Sequence, residues 1–444
     1  MVTINSHFDG SSDIENEPVG ENDSADLTWS GYLPFYSVYD DSDDRFYNVN
    51  ASFSGSNWTV AYMAFHAKGG SKATISDGGT NTNIGVLALG ESSKVVLDGT
   101  QVDYIEGWGG VHDITLGDQR TRLVKLGGDE VKVTLSGRID TLDLGGVDNT
   151  VTMNGDSDIN FARVYTETGL SKFNINDGGD MRVLTANGGD VEINMEGSGR
   201  IRTIEAFEGT LDMTTDERYV ANLFAYDSVS VIHIGAGGIG AVQIGSGSAM
   251  SHVITAQGHI SNLEFFDDDA VKMTLGDGGA GTLRTANGND KVVGGSGYIE
   301  LINTRDGNDV VVTGSGYVET IRTGEGRDKV KLNGDTGSIK LGGGNDKFFG
   351  GSGDDWVIGG AGNDLMKGGG GGDYFVFGDG SGNDKLRAFK SGDDLMLIAD
   401  HEGGFDTLSI EKVGKHKVIE YDGGTIKLLK LGKADIDVDD FSFI

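Results

Sequence analysis

The chain has no cysteine and only two prolines in 444 residues. Without cysteine there are no disulfides, no thiolate metal centres and no cysteine nucleophile. Scarce proline beside 75 glycines excludes collagen, which needs a three-residue glycine period with abundant proline, and also excludes a Pro/Gly linker. Basic residues are few: 35 Lys and Arg stand against 69 Asp and Glu, a formal charge of −34 at pH 7. Nucleic acid and anionic membranes reward a basic surface, so neither is an expected partner. No apolar run reaches the roughly 18 residues of a membrane helix, so no membrane insertion is expected. Met1 to Asp44 holds eleven acidic residues and no Lys or Arg, unlike a Sec signal peptide.

What remains is glycine, acid and a modest apolar fraction of 37%. A fold at this charge repels itself unless cations bind, and a hard divalent cation with oxygen ligands is the natural counterpart. Solvation in high salt would also favour acid, but it does not require the regular spacing seen here. Aspartates close the Gly-Asn-Asp-like phrases at 290, 309, 328, 346, 364 and 384, with gaps of 19, 19, 18, 18 and 20. Within one period two short strands alternate: Val131, Val133 and Leu135, a turn at Gly137, then Ile139, Leu142 and Leu144. Period-two alternation inside a longer repeat means two strands per coil with one apolar set inward. The expected fold is all-β, a right-handed parallel β-roll or β-solenoid of about 15 coils, each of roughly 18–20 residues. A two-stranded coil encloses only a double row of side chains, so its core needs help beyond apolar burial.

From 341 the period halves into Leu341-Gly-Gly-Gly-Asn-Asp-Lys-Phe-Phe349, Gly350-Gly-Ser-Gly-Asp-Asp-Trp-Val-Ile358, Gly359-Gly-Ala-Gly-Asn-Asp-Leu-Met-Lys367 and Gly368-Gly-Gly-Gly-Gly-Asp-Tyr-Phe-Val376. Each matches the nonapeptide Gly-Gly-x-Gly-x-Asp-x-apolar-x. Glycine lets the turn reach positive φ and draw carbonyls together, while Asp adds a charged oxygen. The expected metal ligands are Asp290, Asp309, Asp328, Gly342, Gly344, Asp346, Gly351, Gly353, Asp355, Gly360, Gly362, Asp364, Gly369, Gly371, Asp373 and Asp384. Coil spacing puts Asp290, Asp309, Asp328, Asp346 and Asp364 on one edge, and Asp355 and Asp373 on the opposite edge. Ile299 and Val318 occupy that second edge earlier, so ions are expected on both edges from about 342 to 384 and on one from about 290. Pairing the stacked turns gives about five to eight calcium ions. Upstream, Asp129, Asp148, Asp190 and Asp269 are isolated, and metal-free turns are the equal alternative there.

These residues resemble the repeats-in-toxin (RTX) proteins, in particular the C-terminal β-rolls of serralysin-like proteases and mannuronan epimerases. The likeness is specific from about 341 to 444; from 72 to 340 it is one of architecture. Tyr374-Phe-Val-Phe377, Gly380-Ser-Gly-Asn-Asp384 and Asp393-Asp-Leu-Met-Leu-Ile398 are similar to the closing segment of those rolls. Tyr421-Asp-Gly-Gly-Thr-Ile426 and Asp439-Asp-Phe-Ser-Phe-Ile444 are similar to an uncleaved secretion signal. The resemblance implies export from a Gram-negative cell by a type I transporter, an extracellular location, and folding that waits for external calcium.

Four segments are expected: an aromatic-rich cap or docking segment (1–71), a degenerate solenoid (72–340) with one-edge calcium turns from about 288, the nonapeptide roll (341–384), and a C-terminal cap with secretion signal (385–444). Eleven aromatic residues from Trp29 to Phe65 set the first segment apart, and a glycan or partner could dock there instead. Gly235-Ala-Gly-Gly-Ile-Gly240 mimics a dinucleotide fingerprint, but a strand rather than a helix should follow. Neither Gly-x-Ser-x-Gly nor His-Glu-x-x-His occurs, so no lipase or metalloprotease motif is present. His233, His252 and His259 read as turn or surface residues, and Tyr298 and Tyr317 as an aromatic ladder. The functional expectation is a non-enzymatic, structural or adhesive protein at or near the cell surface, able to stack by ends or edges. A lyase or epimerase working on a solenoid face is the alternative.

Overall fold

The computed structural model describes residues 83–245, 251–266, 270–399, 401, 403–431 and 436–444. It also describes the backbone of six earlier strands: Ser6–Phe8, Ser24–Trp29, Tyr36–Asp40, Tyr47–Phe53, Thr59–Ala67 and Ser71–Ser76. Asp269 and the side chains of the N-terminal aromatic cluster lie outside the described residues. The fold is a parallel β-solenoid of about 16 turns, close to the fifteen expected. Two compact units divide between Ser228 and Val229.

In the first unit two parallel ladders climb side by side. One stacks Tyr47–Phe53, Ser71–Ser76, Ser93–Asp98, Val111–Leu116, Glu130–Leu135, Asp148–Met153, Leu170–Ile175 and Asp190–Met195. The other stacks Tyr36–Asp40, Thr59–Ala67, Asn83–Leu89, Gln101–Trp108, Arg120–Gly127, Arg138–Leu144, Asp158–Tyr165, Asp180–Asn187 and Arg200–Thr214. Parallel pairing therefore extends into the segment before residue 72, as far as Ser6–Phe8 on Ser24–Trp29.

The second unit repeats the plan. Its first ladder runs Ser251–Ala256, Ala270–Leu275, Lys291–Val293, Val310–Val312, Lys329–Lys331, Lys347–Phe349, Leu365–Lys367, Gly382–Arg387 and Gly424–Leu429. Its second runs Ile239–Gly245, Ile260–Phe265, Ala280–Arg284, Ile299–Asn303, Val318–Gly326, Thr336–Gly344, Trp356–Gly362, Tyr374–Phe377, Leu395–Ile398 and Phe441–Phe443. The strand Ile239–Gly245 directly follows the glycine phrase at 235–240, so no helix N-terminus is available there to hold a pyrophosphate. Ser409–Val413, His416–Tyr421 and Gly424–Leu429 form an antiparallel meander where the first ladder ends.

The first-ladder strands from Ser93 to Met195 each offer three inward positions, as in Val131, Val133 and Leu135, or Ser171, Phe173 and Ile175, all buried. Second-ladder strands offer three at different spacing, as in Ile139, Leu142 and Leu144. Each buried aliphatic side chain contributes about 1.5–3 kcal/mol. The inward position nearest each turn is where the chain departs from an apolar core. No helix of the described residues is long and apolar enough to cross a membrane.

Candidate metal centre

On one edge of the second unit the first inward position is Asp in six successive coils. The Asp carboxylates accept backbone N–H bonds from the coil before: Val271 to Asp290 Oδ1 (2.7 Å), Asp290 to Asp309 (2.8 Å), Asp309 to Asp328 (2.8 Å), Asp328 to Asp346 (2.8 Å), Asp346 to Asp364 (2.9 Å) and Asp364 to Asp384 (2.9 Å). Every one of these carboxylates is at most 2% exposed. The five Asp assigned to this edge are thus brought into a single interior column, and the expected ligand Asp384 joins them as its sixth member.

One N–H bond per carboxylate leaves the second oxygen to account for. Oδ2 of Asp346, Asp364 and Asp373 and Oδ1 of Asp355 are buried with no hydrogen-bond partner. Burial pushes the carboxyls up, to about 7 for Asp309, Asp346, Asp355 and Asp384 and about 6 for Asp364 and Asp373. Charges on adjacent coils add to the rise at Asp346 and Asp355. Thr304 and Thr323, buried beside Asp309 and Asp328, pull the other way. At a coil spacing of roughly 4.8 Å, two neighbouring carboxylates repel by about 3 kcal/mol at an effective dielectric of about 20. Desolvation costs several kcal/mol more per ion. A cation cancels both.

Backbone carbonyls line the same edge. Gly326, Gly344 and Gly362 are in register, as are Gly324, Gly342 and Gly360. Their φ values are positive, from 90° to 153°. A Cβ on Gly344 or Gly362 would land on the carbonyl oxygen one coil below. Only glycine lets these carbonyl rows stack so closely. Among the described residues no group of three Asp, Glu, His or Cys could hold a metal. The donor set is therefore one carboxylate per turn supplemented by glycine carbonyls, all oxygen, which fits calcium. Asp and glycine carbonyls of successive turns are the residues that would hold it. When bound, the ion neutralises the column and ties one coil to the next.

The opposite edge is shorter. Asp355 N–H donates to Asp373 Oδ1 (3.2 Å) and Asp373 N–H to Asp394 Oδ1 (3.1 Å). Asp394, 5% exposed and with its pKa raised by burial, extends this column by one coil and was not among the expected ligands. Its signal was the 21-residue step from Asp373. Gly369 and Gly371 have positive φ (126° and 93°), whereas Gly351 and Gly353 do not, so the turn before Asp355 differs from the others. Ile299 and Val318 point inward on this edge, as expected. Outside them Tyr298 and Tyr317 stack at 6.1 Å and 10°. Tyr298 Oη donates to Glu319, which pushes its pKa up to about 12.

Before Asp290 the same slot changes character. In the second unit it holds Ser230, His252 and Val271 in successive coils. His252 is 1% exposed and packs on the Phe265 ring at 5.3 Å, which corrects its reading as a turn or surface residue. His233 and His259 are exposed, as expected. In the first unit the equivalent strand position is Ser93, His112, Val131, Asn149, Ser171 and Val191, all buried. Asp129, Asp148 and Asp190 stand exposed, outside that slot. Asp148 and Asp190 bind the N–H groups of Leu170 (3.0 Å) and Thr210 (3.1 Å).

The model of the RTX calcium-binding nonapeptide repeat matches residues 341–375 in four copies. This chain therefore carries RTX calcium-binding repeats inside a β-solenoid. The extracellular lipase LipA from Serratia marcescens is a similar solved structure, at 15% identity over 44% of this chain and 42% of that one, with a TM-score of 0.19. The similarity spans less than half of that lipase. No curated protein matches the sequence.

Proposed function

We propose that this is a secreted protein whose second unit completes its fold when external calcium fills the Asp columns, and that it serves a structural or adhesive role at or near the surface of a Gram-negative cell. The observation that carries the reading is the pair of buried carboxylate columns, with oxygens at Asp346, Asp355, Asp364 and Asp373 that no protein group satisfies. Such groups hold the roll open where calcium is scarce and close it where calcium is plentiful, because metal binding is then folding free energy. The RTX repeats support export by a type I transporter, since proteins that carry them are typically secreted by Gram-negative bacteria. The structural role rests on how much of the described chain is occupied by stacked coils. A matrix or surface glycan is the partner class this reading calls for.

The test is circular dichroism of the purified chain at pH 7.5 with calcium and after chelation. The reading expects β signal to fall on chelation and to return on adding calcium. A spectrum indifferent to chelator contradicts calcium-driven folding. Incubation with alginate and pectin panels should give no turnover, and any cleavage or epimerisation would replace the structural role with an enzymatic one.

A further inference from the structure

The second-edge column is interrupted at its start. Elsewhere along it, the N–H of each slot residue donates to Oδ1 of the Asp one coil on, as from Asp355 to Asp373 and from Asp373 to Asp394. The step into Asp355 differs. Asp355 Oδ1 is buried with no hydrogen-bond partner, and its Oδ2 accepts from Gly351 N–H of its own turn at 3.3 Å.

One coil earlier the inward slot belongs to Thr336, 3% exposed, whose Oγ1 is also buried without a partner. The register explains the break. Val318 pairs with Thr336, and Ile339 pairs with Val357. Thr336 stands three residues before Ile339, whereas Asp355 stands two before Val357. The three-residue step is shared by Ile299–Ile302 and Val318–Ile321, so the Asp355 coil is the one a residue shorter, and its slot falls out of step with Thr336. Two orphaned oxygens, a hydroxyl and a carboxylate, are left in adjacent coils of one slot.

A second carboxylate borders them. Asp335 occupies the outward position taken by Tyr317 one coil before and Asp354 one coil after. Asp354 Oδ1 accepts from Gly372 N–H (2.7 Å), whereas the Asp335 carboxylate lies over Gly353, where any Cβ would strike it. The bare glycine keeps open the space between Asp335 and the turn that ends in Asp355.

We propose that Thr336, Asp335 and Asp355 form a cation site for a hard divalent ion of the calcium type, which opens the second-edge column one coil before the nonapeptide array. The proposal rests on the calcium reading above. It gives the unusual turn at Gly351 and Gly353 a role, since two carboxylates and a hydroxyl supply what its glycine geometry does not. Oxygen-only donors of mixed charge suit calcium and its terbium surrogate.

The test uses the full-length chain carrying Asp335→Asn or Thr336→Val, with calcium per chain measured by elemental analysis after gel filtration. A second readout is terbium emission excited through Trp356, which directly follows Asp355. Each variant should bind about one ion fewer than wild type. Trp356-sensitised emission should fall by about half or more, with the far-ultraviolet spectrum in saturating calcium unchanged. Because Asp335 is exposed, its substitution tests the site even if Thr336→Val does not fold. Unchanged ion count and emission in Asp335→Asn overturn this site alone and leave a buried water as the occupant. A wild-type chain that binds no calcium overturns the calcium reading with it.

Discussion

At the scale of single residues, the protein concentrates cost in carboxylates that a soluble fold ordinarily keeps wet. Their raised pKa values have a consequence for pH. In the unfolded chain these Asp titrate near 3.8, while in the metal-free roll Asp309, Asp346, Asp355 and Asp384 titrate near 7. The metal-free roll holds more protons than the unfolded chain between those values, so its stability is greatest below about pH 4 and is lost as pH rises through about 7. Chelated protein should therefore show more β signal at pH 4.5 than at pH 7.5, and calcium affinity should weaken over the same acid range as protons compete. A metal-free roll that is stabler at pH 7.5 would contradict this. Glycine supplies the complementary prediction. Gly344→Ala places a Cβ on the Gly326 carbonyl at φ 129°, so it should cost at least about 2–3 kcal/mol in calcium-saturated denaturation. Ser352→Ala, on a turn surface, should cost less than about 0.5 kcal/mol.

At the scale of strands and turns, the two units solve the stacking of coils differently. Unit one stitches outward positions with ion pairs between neighbouring coils: Lys94–Asp113 (2.6 Å), Arg120–Asp140, Lys172–Glu192 (2.5 Å) and Arg200–Asp180. Arg120 holds the Asp140 carboxyl below its ordinary value, with Arg138 adding to the effect. Partly exposed pairs of this kind are worth about 0.2–1 kcal/mol each and weaken with salt. Asp140→Ala, which removes the nearest ion-pair partner of both Arg120 and Arg138, should destabilise unit one by about 1 kcal/mol, less at 1 M salt, as read from the denaturation midpoint.

What the sequence made legible follows from the same contrast. The Asp column was readable because its residues recur at 18–20 positions and are punctuated by glycine. Asp394 was not, because Phe389-Lys-Ser-Gly392 replaces the glycine-rich turn ahead of it. Thr336 was hidden by the one-residue shortening between its coil and that of Asp355, which periodicity averages away. His252 was misread because a histidine in a polar-looking stretch gives no sign that it fills the slot Asp takes two coils later. The early strands, such as Tyr47–Phe53 on Ser71–Ser76, pair without the Gly-Asp marks that betray the later coils.

At the scale of the whole chain, calcium dependence should be divided. Unit one has a slot filled by Ser, Asn, His and Val and is tied by ion pairs, so its coils are expected to hold without an ion. Unit two carries both acidic columns. Hydrogen exchange with and without calcium should show large loss of protection at 288–394 on chelation and little change at 93–214. Equal loss in both regions would mean that the ion-pair ladders do not hold unit one by themselves.

The most direct measurement of the central claim is the number of calcium ions retained per chain, by elemental analysis after gel filtration in micromolar free calcium. Columns of stacked Asp turns on two edges call for about five to eight ions. A count of zero or one would show that the buried carboxylates are satisfied by protons or water, and the account of a calcium-closed roll would fall.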